Sequence, residues 1–251
     1  MASWAGIRAA RVIHEDDALL ALDKPAGWSV MGERHDTDLV RLAQDAGEKL
    51  WPAHRIDKVT SGVVLFAKDL AHHGDLTRQF GARTVDKSYL ALTATAGLPA
   101  RGTVELPLSV GRKNRVRVAA AREAILEHEG SWTVPGDAVF DHVTTYPSTT
   151  TFERLAAGDE DPATLLAVHP VTGRRHQIRV HLAWIGHPIV GDPLFDRHAT
   201  TRTALHAWRL GIDAPDGTRL RLEAPPGDDL RALSPLFDDL PGAAPGTWPS
   251  T

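Results

Sequence analysis

The run from His54 to Ala67 constrains this 251-residue chain more than any other segment. Its first half, His54-Arg55-Ile56-Asp57-Lys58-Val59-Thr60-Ser61-Gly62, crowds charge into a turn that ends in T-S-G. Its second half, Val63-Val64-Leu65-Phe66-Ala67, is unbroken apolar sequence and reads as a buried strand. The carboxylate of Asp57 therefore sits near basic residues at the mouth of a buried strand. A carboxylate held there suits the work of a nucleophile or a base.

The rest of the chain alternates strand and helix signals. Residues 11–24 read as a strand pair around Glu15-Asp16-Asp17, closed by the turn Lys24-Pro25-Ala26-Gly27. Short helices are predicted over 38–47 and from Ala71 to Phe80, and a strand from Thr84 to Leu92. Residues 100–118 suggest two short strands around a basic turn, whereas 120–145 shows no period and reads as irregular. Thr149 to Leu155 and Ala163 to His169 form a β-hairpin signal. A helix is predicted from His176 to Ile185, with Ile178, Leu182 and Ile185 as its apolar stripe and Gly186 as its stop. Strands at Leu205–Ile212 and Thr218–Glu223 follow, and the tail from Pro241 is Pro/Gly/Ala-rich and expected to fray. Hairpins mixed with scattered helices, without repeats or a long linker, indicate an α+β fold on a mixed, mainly antiparallel sheet with flanking helices. The expected layout is an N-terminal extension at 1–10, one catalytic domain at 11–235 and a flexible tail at 236–251.

Composition narrows the chemistry. There is no cysteine, which excludes disulfides, zinc–thiolate sites and a thiol nucleophile. The thirteen histidines fall at no metal-ligand spacing, so no metal is expected. No apolar run reaches the length of a membrane span, and the N-terminus lacks a signal-peptide layout, so a cytoplasmic protein is expected. The net charge of −4 argues weakly against nucleic acid, but basic residues cluster at Arg112 to Arg117 and at Arg174, Arg175 and Arg179, leaving room for a basic groove.

Three constellations carry candidate chemistry, each with a plainer alternative. Asp57 alone also reads as an ion pair with Arg55 or Lys58. A kinase catalytic loop is rejected, because Ile56 separates Arg55 from Asp57 and no glycine-rich loop or D-F-G is present. Arg175 and Arg179 are four apart, so they share one helix face that either holds a phosphate, neutralises a carboxylate or is merely solvated. Tyr89 in Lys87-Ser88-Tyr89 alone reads as a strand tyrosine with its ring in the core. A glycosidase needs a second acid, and Asp86, Glu153 and Asp192 lack a convincing context; Asp192 reads as a turn anchor between Gly191 and Pro193.

Taken in order, these segments resemble the RluA-type family of RNA pseudouridine synthases. Lys24-Pro25-Ala26-Gly27 resembles the family's K-P-x-G turn, His54 to Gly62 its H-R-L-D-x-x-T-S-G signature, and Lys87 to Ala91 its K-x-Y-x-A strand. Gly173 to Leu182 is similar to G-R-T-H-Q-I-R-V-H-L, Gly186 to Leu194 to G-H-P-I-x-G-D-x-x-Y/F, and Leu205-His206-Ala207 to L-H-A. The likeness spans about residues 11 to 235. Ile56 replaces the usual Leu, Lys58-Val59 stands where Arg-Glu is common, and Arg175 replaces a small Thr. The region 120–148 does not match clearly.

The resemblance implies a pseudouridine synthase fold with a central catalytic cleft, and isomerisation of uridine in ribosomal or transfer RNA after base flipping. It implies that Asp57 is the essential carboxylate, attacking C1′ or C6 or removing a ribose proton, that Arg179 keeps it ionised, and that Tyr89 orients the uracil. Arg55, Lys87, Arg174, Arg175, His176 and Gln177 are the implied RNA contacts. Isomerisation neither adds nor removes atoms, so no cofactor is expected. The expected partner is RNA alone, gripped by the catalytic domain itself as a monomer, with no membrane and no obligate protein partner. The alternative is a catalytically silent RNA-binding or assembly factor that keeps the fold.

Overall fold

The computed structural model describes residues 3–32, 37–158 and 162–240. In chain order the elements are α1 (Trp4–Arg11), β1 (Val12–Glu15), β2 (Leu19–Lys24), α2 (Leu39–Asp45), β3 (Trp51–Pro52), β4 (Ser61–Ala67), α3 (Leu70–Ala82), β5 (Asp86–Thr93), β6 (Arg101–Glu105), β7 (Leu108–Val110) and β8 (Val116–Val118). They continue as β9 (Leu126–His128), β10 (Ser131–Thr133), β11 (Thr145–Tyr146), β12 (Thr149–Ala157), β13 (Thr164–Pro170), α4 (Gln177–Trp184), β14 (Leu205–Asp213), β15 (Arg219–Glu223) and α5 (Asp228–Arg231). Among the described residues the chain forms two units: the first runs to Ser88 and resumes from Leu205 to Gly227, and the second holds Tyr89 to Ala204 and residues 228–240.

The first unit is built around β4. β2 runs antiparallel to it, from Leu19 opposite Ala67 to Lys24 opposite Gly62. β14 runs parallel to β4, with His206 opposite Ser61 and Ala207 opposite Gly62. β1 adds to β2 and β15 to β14, both antiparallel. All seven residues of β4 are buried, which explains why its apolar run does not alternate: neither face meets water. On one face Leu19, Ala21, Val63, Leu65, Leu210, Ile212 and Leu222 pack with Leu76 of α3. Each large apolar side chain buried here stabilises the unit by roughly 1.5–3 kcal/mol. That packing makes β4 a rigid base for the Asp57 turn.

Local signals in this unit behave as their chemistry predicts. The expected strand pair forms as β1 and β2, and Asp16 closes the turn by accepting the amides of Ala18 and Leu19 at 2.8 and 2.7 Å. α2 and α3 occupy the two predicted helical segments, capped by Asp38 and Asp69, which accept the Arg41 and His72 amides. The expected N-terminal extension is helical from Trp4, with Trp4 and Ile7 buried and the Trp4 indole donating to Glu48 at 2.6 Å. Phe237 is also fully buried. The expected fraying from Pro241 onward lies outside the described residues.

In the second unit β5 pairs with β13, β13 with β12 and β12 with β6, all antiparallel. The predicted hairpin is thus β12–β13. Residues 100–118 hold three strands rather than two, with β7 and β8 flanking the basic turn Arg112–Asn114. The stretch expected to be irregular contains the β9–β10 hairpin, and β10 runs parallel to β6. Strands of three residues are too short to display a period of two, so only their pairing partners reveal them. β11, β7 and β8 make a separate small sheet. The fold class is the expected α+β with a mixed, mainly antiparallel sheet.

The predicted helix at 176–185 forms as α4, but its surroundings differ from the expectation. Gln177 to Ala183 are all buried, including Arg179 and His181. His176 stands before the helix at φ 55°, in left-handed backbone, and Arg175 is exposed. The helical spacing rule cannot carry across a left-handed residue, so Arg175 and Arg179 do not share a helix face.

Candidate active site

The Asp57 turn is held from several directions within the first unit. The Thr60 amide donates to the Asp57 carbonyl at 3.0 Å, closing the turn. The next carbonyl, that of Lys58, accepts the Gly27 amide at 2.7 Å and the Lys24 ammonium at 3.3 Å. Lys24 is completely buried, and its ammonium also donates to the carbonyls of Pro25 and Trp28 at 2.9 and 2.7 Å. A buried ammonium needs such a set of oxygen dipoles to offset its lost hydration. The K-P-x-G turn is thus a strap that ties the 24–28 loop to the Asp57 turn. The Asp57 side chain is half-buried and Arg55 beside it is exposed.

The T-S-G end of the motif meets β14. Gly62 has φ +106°, and a Cβ on it would lie 2.1 Å from the Ala207 carbonyl oxygen. Only glycine allows that conformation and that approach together. The Ser61 hydroxyl lies 2.7 Å from His206 Nδ1, and His206 Nε2 lies 2.8 Å from the Ala224 carbonyl oxygen. At the other end of the motif, His54 stacks on Phe80 with ring centroids 4.6 Å apart. Its Nε2 accepts the Leu65 amide at 3.1 Å. Burial, with the Lys87 charge adding to it, brings the His54 pKa down to about 3, so the ring stays neutral and keeps its acceptor. Lys87 is half-buried, and burial followed by the nearby Arg83 charge lowers its pKa from the ordinary lysine value.

In the second unit Arg179 is gripped by Asp192. Arg179 Nε donates to Asp192 Oδ2 at 2.8 Å and Nη2 to Oδ1 at 2.6 Å, with the side chains 4% and 0% exposed. Asp192 Oδ1 also accepts the Leu194 amide, as a turn anchor should. The two-point contact fixes the plane of the guanidinium as well as its charge. Sequence reasoning placed Asp192 in a turn but missed this second task. The G-H-P-I-x-G-D resemblance was the available signal.

The same helix carries a buried polar chain. The Thr172 hydroxyl donates to Gln177 Oε1 at 2.6 Å, and Gln177 Nε2 donates to Thr150 Oγ1 at 3.0 Å. Thr150 Oγ1 in turn lies 2.9 Å from His181 Nδ1, and His181 Nε2 lies 3.0 Å from the Leu106 carbonyl oxygen. Burial lowers the His181 pKa to about 4, against a smaller opposing effect of the Leu106 carbonyl, so the ring is neutral with its proton on Nε2. Gln177 also accepts the Arg174 amide and donates to the Thr149 carbonyl. Both ends of its amide are saturated inside the chain. Gln177 thereby braces the loop before α4. Arg174 is exposed, with its guanidinium 5.3 Å above the Tyr146 ring, an aromatic neighbour the sequence did not single out. Tyr89 is half-buried on β5, opposite Val168 of β13.

Residues 18–184 match the RNA pseudouridylate synthase family, a class of isomerases that act on RNA. The chain belongs to this family. Its relatives include the ribosomal large subunit pseudouridine synthase D of Nitrosomonas europaea, 34% identical over 82% of this chain. The chain spans 58% of that relative's length. The dual-specificity RNA pseudouridine synthase RluA of Escherichia coli (strain K12) is 32% identical over 81% of this chain and 87% of its own. These relatives are of the RluA type, and so is this chain. Among solved structures, human RNA pseudouridylate synthase domain containing 4 shares the fold with a TM-score of 0.74 at 23% identity, covering 94% of this chain and 95% of that one. No helix among the described residues is long and apolar enough to cross a membrane.

Proposed function

We propose that this chain converts uridine to pseudouridine in ribosomal or transfer RNA, with Asp57 as the essential carboxylate. The observation that carries the proposal is the Asp57 turn itself. It lies at the matched position of a family motif and is strapped by Lys24, Gly27 and Thr60 onto a fully buried strand. Catalysis by a side chain on a turn requires that kind of preorganisation.

In the reaction the N1–C1′ bond breaks, the uracil turns, and a C5–C1′ bond forms. C5 loses a proton and N1 gains one, so the atoms balance without a co-reactant. Asp57 acts ionised, as nucleophile at C1′ or C6 or as base toward the ribose. Arg179, held in plane by Asp192, is the cationic residue of the proposed catalytic set. Tyr89 orients the uracil and takes the C5 proton. The target uridine is first flipped out of its stack, at a cost of a few kcal/mol offset by contacts in the enzyme. Arg55, Lys87, Arg174, Arg175 and His176 contact the RNA. The enzyme works in the cytoplasm as a monomer, within a catalytic domain whose bounds are close to 11–235.

The test is tritium release from RNA carrying C5-tritiated uridine. Wild-type protein releases tritium, and Asp57→Asn abolishes release while still binding RNA. A mutant as active as wild type would falsify the assignment of Asp57.

A further inference from the structure

We propose that His206 is a positioning residue for the Asp57 turn and acts through Ser61. The inference rests on the reading of Asp57 as the reactive carboxylate. It starts from the direction of two buried hydrogen bonds. A carbonyl oxygen only accepts, so the contact to Ala224 makes His206 Nε2 a donor. In the tautomer proposed here Nδ1 accepts the Ser61 hydroxyl, 2.7 Å away. Ser61 is 5% exposed and His206 1%, so the two bonds are shielded from water.

The place of this relay in the chain gives it consequence. Ser61 is the first residue of β4 and directly follows Thr60, whose amide closes the turn on Asp57. β4 and β14 are registered through two residue pairs, Ser61 with His206 and Gly62 with Ala207. The close approach at Gly62 sets the separation of the strands there, and the Ser61–His206 bond sets the rotation of the chain as it leaves the turn. An aliphatic side chain at 206 would bury without requiring two polar neighbours. The imidazole instead ties a hydroxyl at the root of the turn to a backbone carbonyl just beyond β15. A displacement of about 1 Å in a reacting group costs on the order of 100-fold in rate. The relay therefore acts on turnover through the aim of Asp57, without touching the substrate.

Two substitutions separate this role from a general structural one. His206→Asn sets an amide oxygen near the Nδ1 position, keeping an acceptor for Ser61 and giving up the bond to Ala224. His206→Gln sets an amide nitrogen near the Nε2 position, keeping the Ala224 bond and giving up Ser61. Each removes one buried hydrogen bond, so the two variants melt alike. With synthase activity and its Asp57 dependence measured alongside, His206→Gln and Ser61→Ala are expected to lower kcat about 100-fold with an unchanged KM for RNA. His206→Asn and Ser61→Thr keep most of the wild-type kcat. Equal kcat for the Asn and Gln variants per folded molecule overturns the proposal, and so does wild-type kcat in Ser61→Ala, a variant small enough to fold should those at 206 fail. If the wild type makes no pseudouridine, the reading of Asp57 falls and takes this inference with it. If the wild type turns over and loss of the Ser61 bond changes nothing, only the role of His206 falls.

Discussion

Arg179 and Asp192 are joined at two points, 2.8 and 2.6 Å, in a site that exposes almost nothing of either side chain. Attraction within such a pair offsets a large loss of hydration, and removing one member leaves the other charged and buried. Asp192→Ala is expected to destabilise the protein by about 3–5 kcal/mol in urea denaturation. Adding Arg179→Met to Asp192→Ala should recover much of that loss, because an apolar pair buries without penalty, while synthase activity stays absent. A double variant no more stable than the single one would mean that the pair does not act through buried charge.

Gly62→Ala tests the approach of β4 to β14. The left-handed φ and the Ala207 carbonyl oxygen both oppose a Cβ. The expected loss is about 2–4 kcal/mol, a sum of backbone strain and overpacking. Stability within about 0.5 kcal/mol of wild type, the ordinary range for a harmless surface change, would contradict the geometry.

Acid should weaken the fold before its carboxylates protonate. His54 and His181 have folded pKa values of about 3 and about 4, below the ordinary 6.5 of an unfolded histidine. Above that ordinary value neither state binds the proton, and their neutral burial costs nothing. As pH falls below it the unfolded chain takes up protons that the folded chain refuses, so stability drops toward the folded values and then levels off. Each histidine contributes a slope of at most about 1.4 kcal/mol per pH unit. His187, lowered by burial as well, adds in the same direction. Denaturant midpoints measured from pH 7.5 down to pH 5 follow the effect, and a flat profile would be inconsistent with neutral buried imidazoles.

Arg174 is expected to meet the RNA backbone as a point charge. Arg174→Ala should weaken binding across RNA sequences and reduce the slope of log affinity against log salt by about one. Tyr146→Ala, which removes the ring beneath that guanidinium, should weaken binding with a smaller change in salt slope, since a stacked ring releases no counterion. An unaltered slope in Arg174→Ala would take Arg174 out of the RNA contacts.

Much of this molecule was readable before any coordinates. The buried strand after T-S-G, the Asp16 turn and the β12–β13 hairpin all rest on neighbours close along the chain. Backbone preference and hydrogen bonding act at that range. The β9–β10 hairpin was missed because three-residue strands carry no periodicity, and α1 because Trp4 and Ile7 alone make no stripe. Arg175 and Arg179 were wrongly set on one face, since nothing local announces the left-handed turn at His176.

By itself the sequence determined the family and the order of its motifs, because those are written in residue types and short spacings. Only the tertiary structure decided what each polar side chain faces. Asp192 for Arg179, the Thr172–Gln177–Thr150–His181 chain and His206 for Ser61 join residues up to 145 positions apart. Burial sets those pairings: a polar group shut away from water must find a hydrogen bond in whatever part of the chain the apolar core brings beside it.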